Sequence, residues 1–448
     1  MKKSILTCMT GIALAACGGG AGSDASDTVV DTGISNGETQ STNSETADSN
    51  NGDGDPTGDG DGDPGDGDPT TTGDGDPTTT GNGPKWDLGG LPDSNIPCTS
   101  GDGGSNDPDF SFLWACNSTQ GTISKLDTQT VTEVGRYVVR PDGQGSPSRT
   151  SVSLSGHVAV ASRQGGVTKI YANPDLCEES NGMPGLQTSN SNQFLPWGTE
   201  ECIAWHTPFN YVSQRPVAWG LGEFNEGFCQ WQDEELWTSG TNGQTIDVLK
   251  LDGDDGTVVD MVTIQGVNPG YYGIYGAAVD GNGDFWGSQL GVGQLIRVRH
   301  DDMTYQTWPM ATNGYGMTVD SDGYVWTCSS SVARFDPVNE TWQTANVGGY
   351  TGCMADASED GLLWMANGQG VVGVDRETLQ VQQTWNAAGS YGVSIDFEGY
   401  VWTVASGSTA SKIDPATGQF WTYNGLVGAY TYSDMTGYAL VSVGNATG

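Results

Sequence analysis

The sequence has 448 residues, of which 55 are acidic and only 16 are lysine or arginine, so its formal net charge is −39. A chain this acidic, without a basic stripe, is not expected to bind nucleic acid. Its longest apolar run, residues 5–16, is too short to cross a bilayer as a helix.

Residues 1–16 predict a signal peptide. Two lysines precede the apolar run, which ends in Leu-Ala-Ala before Cys17. These residues resemble the lipobox of bacterial lipoproteins, which implies cleavage before Cys17 and acylation of that cysteine. We therefore predict an extracytoplasmic protein held to the membrane by a lipid anchor, at the outer membrane or cell surface. An ordinary signal peptide followed by a chance cysteine is the alternative.

Residues 17–95 predict a disordered acidic spacer. They repeat Gly, Asp, Pro and Thr and contain few large apolar side chains, so they cannot bury enough surface to offset chain entropy. The alternating aspartates could supply oxygen ligands to Ca²⁺. However, a proline follows each pair and no glutamate closes a loop, so no cofactor is expected here.

Residues 96–448 predict a β-propeller. Trp286, Trp326, Trp364 and Trp402 recur at spacings of 40, 38 and 38 residues, each after an aspartate and a tight turn. A period near forty with several short strands per unit is typical of propeller blades. The aspartates Asp280, Asp320, Asp356, Asp396 and Asp434 are predicted to cap turns, where this residue accepts backbone N–H bonds.

The two ends of the repeat predict a closed ring. The unit at residues 112–139 lacks its first strand, and residues 429–440 repeat the Asp-x-x-Gly spacing without a following tryptophan. A C-terminal strand that completes the first blade would leave no open sheet edge. The predicted fold is therefore all-β, a seven-bladed monomeric propeller with almost no helix. An open solenoid is the alternative.

Seven cysteines follow Cys17, and secretion favours disulfides. Residues 172–211 are predicted to form a disulfide-pinned insertion in the second blade. The predicted pairs are Cys328–Cys353, Cys177–Cys202 and Cys98–Cys116, with Cys229 left over.

The start of each inner strand and the end of each second strand should meet at one face of the propeller, which we call the upper face. Tyrosine stacks on ligands and donates hydrogen bonds, and arginine binds carboxylate or phosphate through two bonds. Because arginines are scarce in this chain, their clustering here suggests a site for a polar or anionic ligand. The alternative is that the Tyr-Gly pairs only pack the blade junctions. The candidate ligand-binding residues are Arg149, Arg163, Arg215, Tyr275, Tyr315, Tyr391, Tyr430, Gln289 and Asn367.

The unit Tyr-Gly-x-x-[Val/Ile]-Asp-x-x-Gly-x-x-Trp, with Lys/Arg-apolar-Asp at the end of a third strand, spans about residues 110–440. It resembles the virginiamycin B lyase (streptogramin lyase)-like propellers and their NHL-repeat relatives. The resemblance implies seven blades. If the resemblance extended to the activity of that lyase, it would also imply a magnesium ion, a catalytic histidine at the start of an inner strand and glutamates on the upper face. Here Tyr275, Tyr315 and Tyr391 stand where that histidine would be needed, and no glutamate ends the matching second strands.

The resemblance also suggests a calcium turn in the insertion, at Glu179, Asn181 and Met183, but methionine is no ligand for a hard cation. No metal or catalytic residue is therefore predicted. The favoured function is non-catalytic binding of an envelope glycan, peptide or partner protein at the upper face. A lyase or hydrolase with an unrecognised site, or a passive surface scaffold, are the alternatives.

Overall fold

The computed structural model of this protein describes residues 111–225, 230–358 and 361–444. The predicted signal peptide, Cys17, the spacer, Cys98 and Cys229 lie outside the described residues. Within these ranges the chain is nearly all β and forms a seven-bladed propeller, as the repeat predicted. No helix in the described ranges is long and apolar enough to cross a membrane.

Blade 1 is a three-stranded sheet, and blades 2–7 are four-stranded antiparallel sheets whose strands follow chain order or its reverse. The first strand of each later blade lies innermost and contacts the first strand of the next blade. Blade 1 consists of β1 Phe112–Asn117, β2 Thr122–Asp127 and β3 Thr132–Val138, and blade 2 of β4 Pro147–Val152, β5 Val158–Ser162, β6 Val167–Ile170 and β7 Ile203–Thr207. Blade 3 consists of β8 Ser213–Trp219, β11 Glu235–Thr241, β12 Ile246–Asp252 and β13 Val258–Ile264, and a separate hairpin is formed by β9 Glu223–Asn225 and β10 Gln230–Gln232. Blade 4 consists of β14 Ile274–Val279, β15 Phe285–Gln289, β16 Gln294–Val298 and β17 Tyr305–Pro309. Blade 5 consists of β18 Gly316–Val319, β19 Val325–Cys328, β20 Ser331–Asp336 and β21 Thr341–Asn346. Blade 6 consists of β22 Cys353–Ala355, β23 Leu362–Ala366, β24 Gly370–Asp375 and β25 Val381–Asn386. Blade 7 consists of β26 Gly392–Ile395, β27 Val401–Val404, β28 Ala410–Ile413 and β29 Phe420–Tyr423.

The recurring aspartate joins the lower turn of a blade to its core tryptophan. In blade 5, Asp320 Oδ1 accepts the backbone N–H of Tyr324 at 2.9 Å, and Oδ2 accepts the indole N–H of Trp326 at 2.7 Å. Gly323 completes this turn with φ of 79°, a conformation that favours glycine. The turn-capping role is therefore confirmed. The same carboxylate–indole bond joins Asp280 to Trp286 at 2.8 Å and Asp396 to Trp402 at 2.7 Å.

The C-terminal segment occupies the place of the missing inner strand of blade 1. Trp114 N–H donates to the Met435 carbonyl at 2.8 Å, and Tyr430 N–H donates to the Cys116 carbonyl at 3.2 Å. The predicted closure of the ring is confirmed, but the segment is irregular because its backbone meets β1 at these two points instead of along a full ladder.

A helix that the sequence did not predict follows this segment. Helix α1 spans Tyr438–Gly444, and Leu440 and Val443 pack into the core with inner-strand residues such as Val217. Above α1 a small cavity of about 30 Å³ is lined by Asp434 and by residues of five inner strands. The helix therefore closes the lower end of the propeller axis.

Two predicted disulfides are present. Cys328 in β19 pairs with Cys353 in β22, which joins blades 5 and 6, and Cys177 pairs with Cys202 across the insertion. A crosslink over a loop of this size stabilises a fold by about 3 kcal/mol. The predicted Cys98–Cys116 pair is wrong, because Cys116 is a free thiol packed fully inside the core.

The insertion in blade 2 is shorter than the sequence predicted. It joins β6 to β7, so residues 203–207, interpreted as loop, instead form the outer strand of the blade. Within it, Glu201 accepts backbone N–H bonds from Ser180, Asn181 and Gln187 at 2.8–3.1 Å. The carboxylate therefore organises the loop. In the described ranges no group of three or more acidic, histidine or cysteine side chains is arranged to hold a metal ion.

We expect Asp320→Ala to lower the free energy of unfolding by about 3 kcal/mol, because the buried indole N–H of Trp326 and the N–H of Tyr324 lose their acceptor. Urea unfolding followed by tryptophan fluorescence measures the change. Asp336→Ala is the matched control, since Asp336 caps an exposed turn at Val338 and Asn339. Equal destabilisation by both substitutions would contradict the special role of the carboxylate–indole bond.

A second prediction concerns Asp434, whose Oδ2 is buried without a hydrogen-bond partner. Burial raises the pKa of Asp434 from 3.8 to about 6. Since the native state then holds this proton more tightly, the contribution to stability is complete below about pH 4 and is lost as the pH rises through about 6. Asp434→Asn should therefore raise the free energy of unfolding at neutral pH, by up to about 3 kcal/mol. Urea titrations across this pH range that give parallel profiles for both proteins would contradict the prediction.

Candidate functional site

Each blade places one side chain on the propeller axis where its innermost segment begins. Six of the nine predicted ligand-binding residues occupy these positions, and blade 6 supplies a threonine instead. We call these seven residues the axial ring. From blade 1 to blade 7 they are Tyr430, Arg149, Arg215, Tyr275, Tyr315, Thr351 and Tyr391.

The glycine that follows several ring residues is required by the close approach of neighbouring inner strands. A Cβ atom at Gly316 would lie 2.9 Å from the Thr351 carbonyl oxygen, and one at Gly392 would lie 2.2 Å from the Thr431 carbonyl oxygen. Both distances are shorter than real contacts. The packing interpretation of the Tyr-Gly pair is therefore correct for its glycine, and this glycine lets the tyrosines converge.

Four tyrosine hydroxyls from four blades meet on the axis. The Tyr275 oxygen lies 2.8 Å from that of Tyr430 and 3.1 Å from that of Tyr315. The Tyr391 hydroxyl donates to Tyr430 at 3.3 Å, and the Tyr315 hydroxyl also contacts those of Tyr391 and Tyr430. The tyrosines therefore fill the axis with a connected group of phenols, which we call the phenol cluster.

A fifth tyrosine, Tyr432, supports the phenol cluster from the protein interior. Its ring centroid lies 4.9 Å from that of Tyr315 and 5.3 Å from that of Tyr430, and its hydroxyl is buried without a hydrogen-bond partner. Tyr432 is not among the residues predicted from the sequence. Strand alternation was the available signal, since residues two apart in an extended segment point to the same side.

Arg149 lies inside this assembly instead of at its surface. Its guanidinium carbon is 3.1 Å from the centroid of the Tyr432 ring and 4.8 Å from that of Tyr275, and the side chain is 0% exposed. It donates to the carbonyls of Ser148 and Tyr275, both at 3.1 Å. Full burial places Arg149 where it supports the ring electrostatically, and its predicted contact with a ligand stays a prediction.

Arg163 lies half-buried beside the ring, whereas Arg215, a member of the ring, is buried with 7% of its surface exposed. The Arg215 guanidinium lies 4.5 Å from the Tyr272 ring and 4.9 Å from the Tyr275 ring, and that of Arg163 lies 5.0 Å from the Tyr430 ring. None of the three upper-face arginines forms an ion pair with a carboxylate of the described ranges. Several arginines elsewhere do so, in the pairs Arg136–Glu133, Arg297–Asp284 and Arg376–Asp322, whereas Arg334 bonds to the Arg376 carbonyl and Gln343.

These cations separate the pKa values of the phenol cluster. Burial raises the pKa of Tyr275 to about 12, although Arg149 and Arg215 oppose the rise. Burial and the neighbouring phenols raise the pKa values of Tyr315 and Tyr391. For Tyr430, burial is outweighed by Arg149 and by hydrogen bonds from the other three tyrosines, so its pKa is lowered. Tyr430 is thus the one member of the phenol cluster whose pKa is lowered.

The remaining two predicted residues close local loops. The Gln289 side chain donates to the Asn268 carbonyl at 2.7 Å and accepts the Gln294 N–H at 3.0 Å. Asn367 accepts the N–H of Gln369, two residues on, at 3.0 Å. The structure does not bring Gln289 or Asn367 to the axis, because their polar atoms are used within their own loops.

Two aromatic residues outside the candidate ligand-binding set extend the site outward. Tyr350, half of which is exposed (51%), has its ring centroid 5.7 Å from that of Tyr391. Tyr272 lies 5.5 Å from Tyr275 on another side of the ring and contacts Arg215. The upper face therefore combines accessible aromatic rings with uncompensated positive charge.

The three histidines contact residues away from the phenol cluster. His157 packs edge-on to Tyr171, His206 lies 2.8 Å from the Thr168 hydroxyl, and His300 lies 2.5 Å from a Glu235 oxygen. The ring position that would need a histidine for the lyase chemistry is filled by tyrosine in blades 4, 5 and 7.

No protein-family model and no curated protein matches the sequence. Solved structures do match. Virginiamycin B lyase from Staphylococcus aureus is 14% identical, with 62% of this chain and 83% of that chain covered and a TM-score of 0.43. A streptogramin B lyase structure gives the same four values. A functionally unknown protein from Desulfotomaculum acetoxidans is 11% identical, with 72% and 100% covered and a TM-score of 0.50.

At these identities the likeness concerns the fold and no activity. The resemblance to virginiamycin B lyase-like propellers is confirmed at that level.

We expect Arg149→Ala to lower the free energy of unfolding by about 3 kcal/mol, since it empties a fully buried site between two aromatic rings and leaves two carbonyls without donors. Urea unfolding measures the change. Arg334→Ala is the matched control, because Arg334 also stacks on a tyrosine, Tyr324 at 4.5 Å, but lies half-buried at the lower end of blade 5. A smaller loss for Arg149→Ala than for the control would overturn its supporting role.

Proposed function

We propose that this chain is a lipid-anchored protein whose propeller binds an anionic ligand, such as an acidic envelope glycan, at its upper face. The observation that carries the proposal is the state of Arg163 and Arg215. Both stack on tyrosines beside the axis, and neither has a carboxylate partner among the described residues.

Electrostatics supports an anion as the missing partner. In a chain of net charge −39, carboxylates are abundant, and several other arginines pair with them. Keeping a partly desolvated guanidinium without a counter-ion is costly. A ligand that brings a carboxylate, sulfate or phosphate would supply charge-assisted hydrogen bonds in this place.

The surrounding rings favour a sugar as the body of that ligand. Tyr350 and Tyr272 offer aromatic surface on different sides of the axial ring, and phenols provide both an apolar face and a hydrogen-bonding tip. A ligand that spans the ring could place an acidic group near Arg215 and stack a sugar ring on Tyr350.

The cellular setting is consistent with an envelope ligand. The two disulfides indicate an extracytoplasmic protein. The lipid anchor at Cys17 and the acidic spacer are proposed from the sequence, and they would hold the propeller away from the membrane surface.

Isothermal titration with acidic and neutral oligosaccharides, muropeptides and inorganic phosphate tests the proposal. We expect saturable binding of an acidic probe that survives EDTA and weakens at least about tenfold in Arg215→Ala, since a hydrogen bond to a charged group contributes about 1.5–3 kcal/mol. Arg334→Ala should leave the affinity unchanged. Absence of binding to every anionic probe would overturn the proposal and favour a protein partner or a passive scaffold.

A further inference from the structure

Carboxylates are almost absent from the loops of the upper face. Among the described residues, these loops contain a single carboxylate, Asp142, which forms an ion pair with Arg140 at 2.8 Å. By contrast, most loops at the lower end contain carboxylates, as do Asp254 and Asp255 between β12 and β13. The upper-face arginines therefore make this face positive, whereas the opposite end of the propeller is acidic.

Five loops of the same face hold a large apolar or aromatic side chain in solvent. These side chains are between 37% and 73% exposed, and we call them the apolar rim. They are Val212, Tyr271, Val292, Tyr350 and Val427. Among the described turns at the lower end, outside the insertion in blade 2, only the turn at Val338 exposes a comparable side chain. Apolar exposure and positive charge therefore occur together on the upper face.

Backbone hydrogen bonds hold rim residues in these exposed positions. The Val212 N–H donates to the Thr241 carbonyl at 2.9 Å, and the Tyr350 N–H donates to the Ala366 carbonyl at 2.7 Å. Their side chains therefore stay in water because the neighbouring strands fix the backbone there. A partner that covers them gains the hydrophobic burial that the isolated propeller lacks, and exposed apolar surface with a defined arrangement marks interaction sites.

The position of the rim residues favours a lipid surface as that partner. They lie in separate loops at the blade 2–3, 3–4, 5–6 and 7–1 junctions and within blade 4. A partner that covers them together must therefore be broad and able to adapt to separate side chains, as a membrane interface does. Tyrosine is enriched at membrane–water interfaces, and arginine binds phosphate through two hydrogen bonds. An anionic lipid headgroup supplies that phosphate and complements the charge of this face.

The net charge of −39 does not prevent such an approach, because the acidic groups lie at the far end. Strand β8, which is seven residues long, spans about 20 Å between the two faces. At physiological ionic strength, charges are screened over about 8 Å. A membrane that touches the upper face therefore meets the arginines directly and the lower carboxylates only through screening salt.

We infer that the upper face docks on an anionic lipid surface, with the apolar rim among the lipid headgroups and Arg163 and Arg215 bound to their phosphates. This inference rests on the proposed function and narrows its anionic ligand to a headgroup that a membrane presents. The rim holds the propeller on the surface, and the arginines select anionic over neutral lipid.

Co-sedimentation with vesicles tests the inference. The protein lacks residues 1–17, so that neither the apolar run nor an acyl chain can bind the lipid. One set of vesicles contains phosphatidylglycerol and phosphatidylcholine in equal parts, and the other contains phosphatidylcholine alone. We expect saturable binding to the anionic vesicles and at least about tenfold weaker binding to the neutral ones. Arg163→Ala should weaken the anionic binding about fivefold, since a basic residue near an anionic surface contributes about 1 kcal/mol.

A matched pair of double variants tests the apolar rim. Val212→Ser with Val292→Ser should weaken binding to anionic vesicles at least about tenfold, because both side chains lose apolar area that the lipid would cover. Val259→Ser with Val338→Ser removes two equally exposed valines from the outer strand of blade 3 and from a lower turn, and it should leave vesicle binding unchanged. Thermal unfolding shows whether each variant is folded, and titration shows whether it still binds soluble acidic probes.

The outcomes separate this inference from the proposed function. Vesicle binding that is lost on replacing Val212 and Val292, while soluble acidic probes still bind, would support both. Binding of soluble probes without binding of anionic vesicles would overturn the inference and leave the proposed function standing. Equal binding to both kinds of vesicle, or equal weakening by the two double variants, would also overturn the inference. Binding of neither vesicles nor soluble acidic probes would overturn both.

Discussion

The pairing of the C-terminal segment with β1 is the constraint on which the other features depend. Two backbone hydrogen bonds, from Trp114 to Met435 and from Tyr430 to Cys116, join the C-terminal segment to blade 1. The two partners of the first bond are more than three hundred residues apart in the sequence. This one segment completes blade 1, brings Tyr430 and Tyr432 to the centre of the upper face and leads into the helix that closes the lower end. Fold and candidate site are therefore formed by the same closure.

Positive charge is used in two different ways in this acidic protein. At the lower turns, cations such as Arg297 and Lys412 lie beside the buried aspartates that bond to tryptophan, where they offset the cost of burying a carboxylate. At the upper face, arginines lie over tyrosine rings instead. A π-face attracts a guanidinium without neutralising it, so the upper face keeps a local positive potential within a chain of net charge −39.

The axial tyrosines show how packing and chemistry can come from one repeat. Glycine at positions such as 316 and 392 lets the inner strands approach, and the preceding tyrosines then have to meet on the axis. Hydroxyls forced together in this way share hydrogens, and Arg149 together with the neighbouring hydroxyls lowers the pKa of Tyr430. The asymmetry among four chemically identical side chains arises from blades 2 and 3, which supply arginine where blades 1, 4, 5 and 7 supply tyrosine.

The sequence by itself determined the blade number, the closure and the composition of the axial ring, because a residue at a fixed place in a repeat takes a fixed place around the axis. It also indicated the Cys328–Cys353 link. Only the tertiary structure decided which of these residues meet solvent. Full burial of Arg149 and of the free thiol Cys116, and the support given by Tyr432, depend on how seven blades converge. Periodicity encodes position around the axis, whereas depth along it is set by contacts between blades that no single repeat contains.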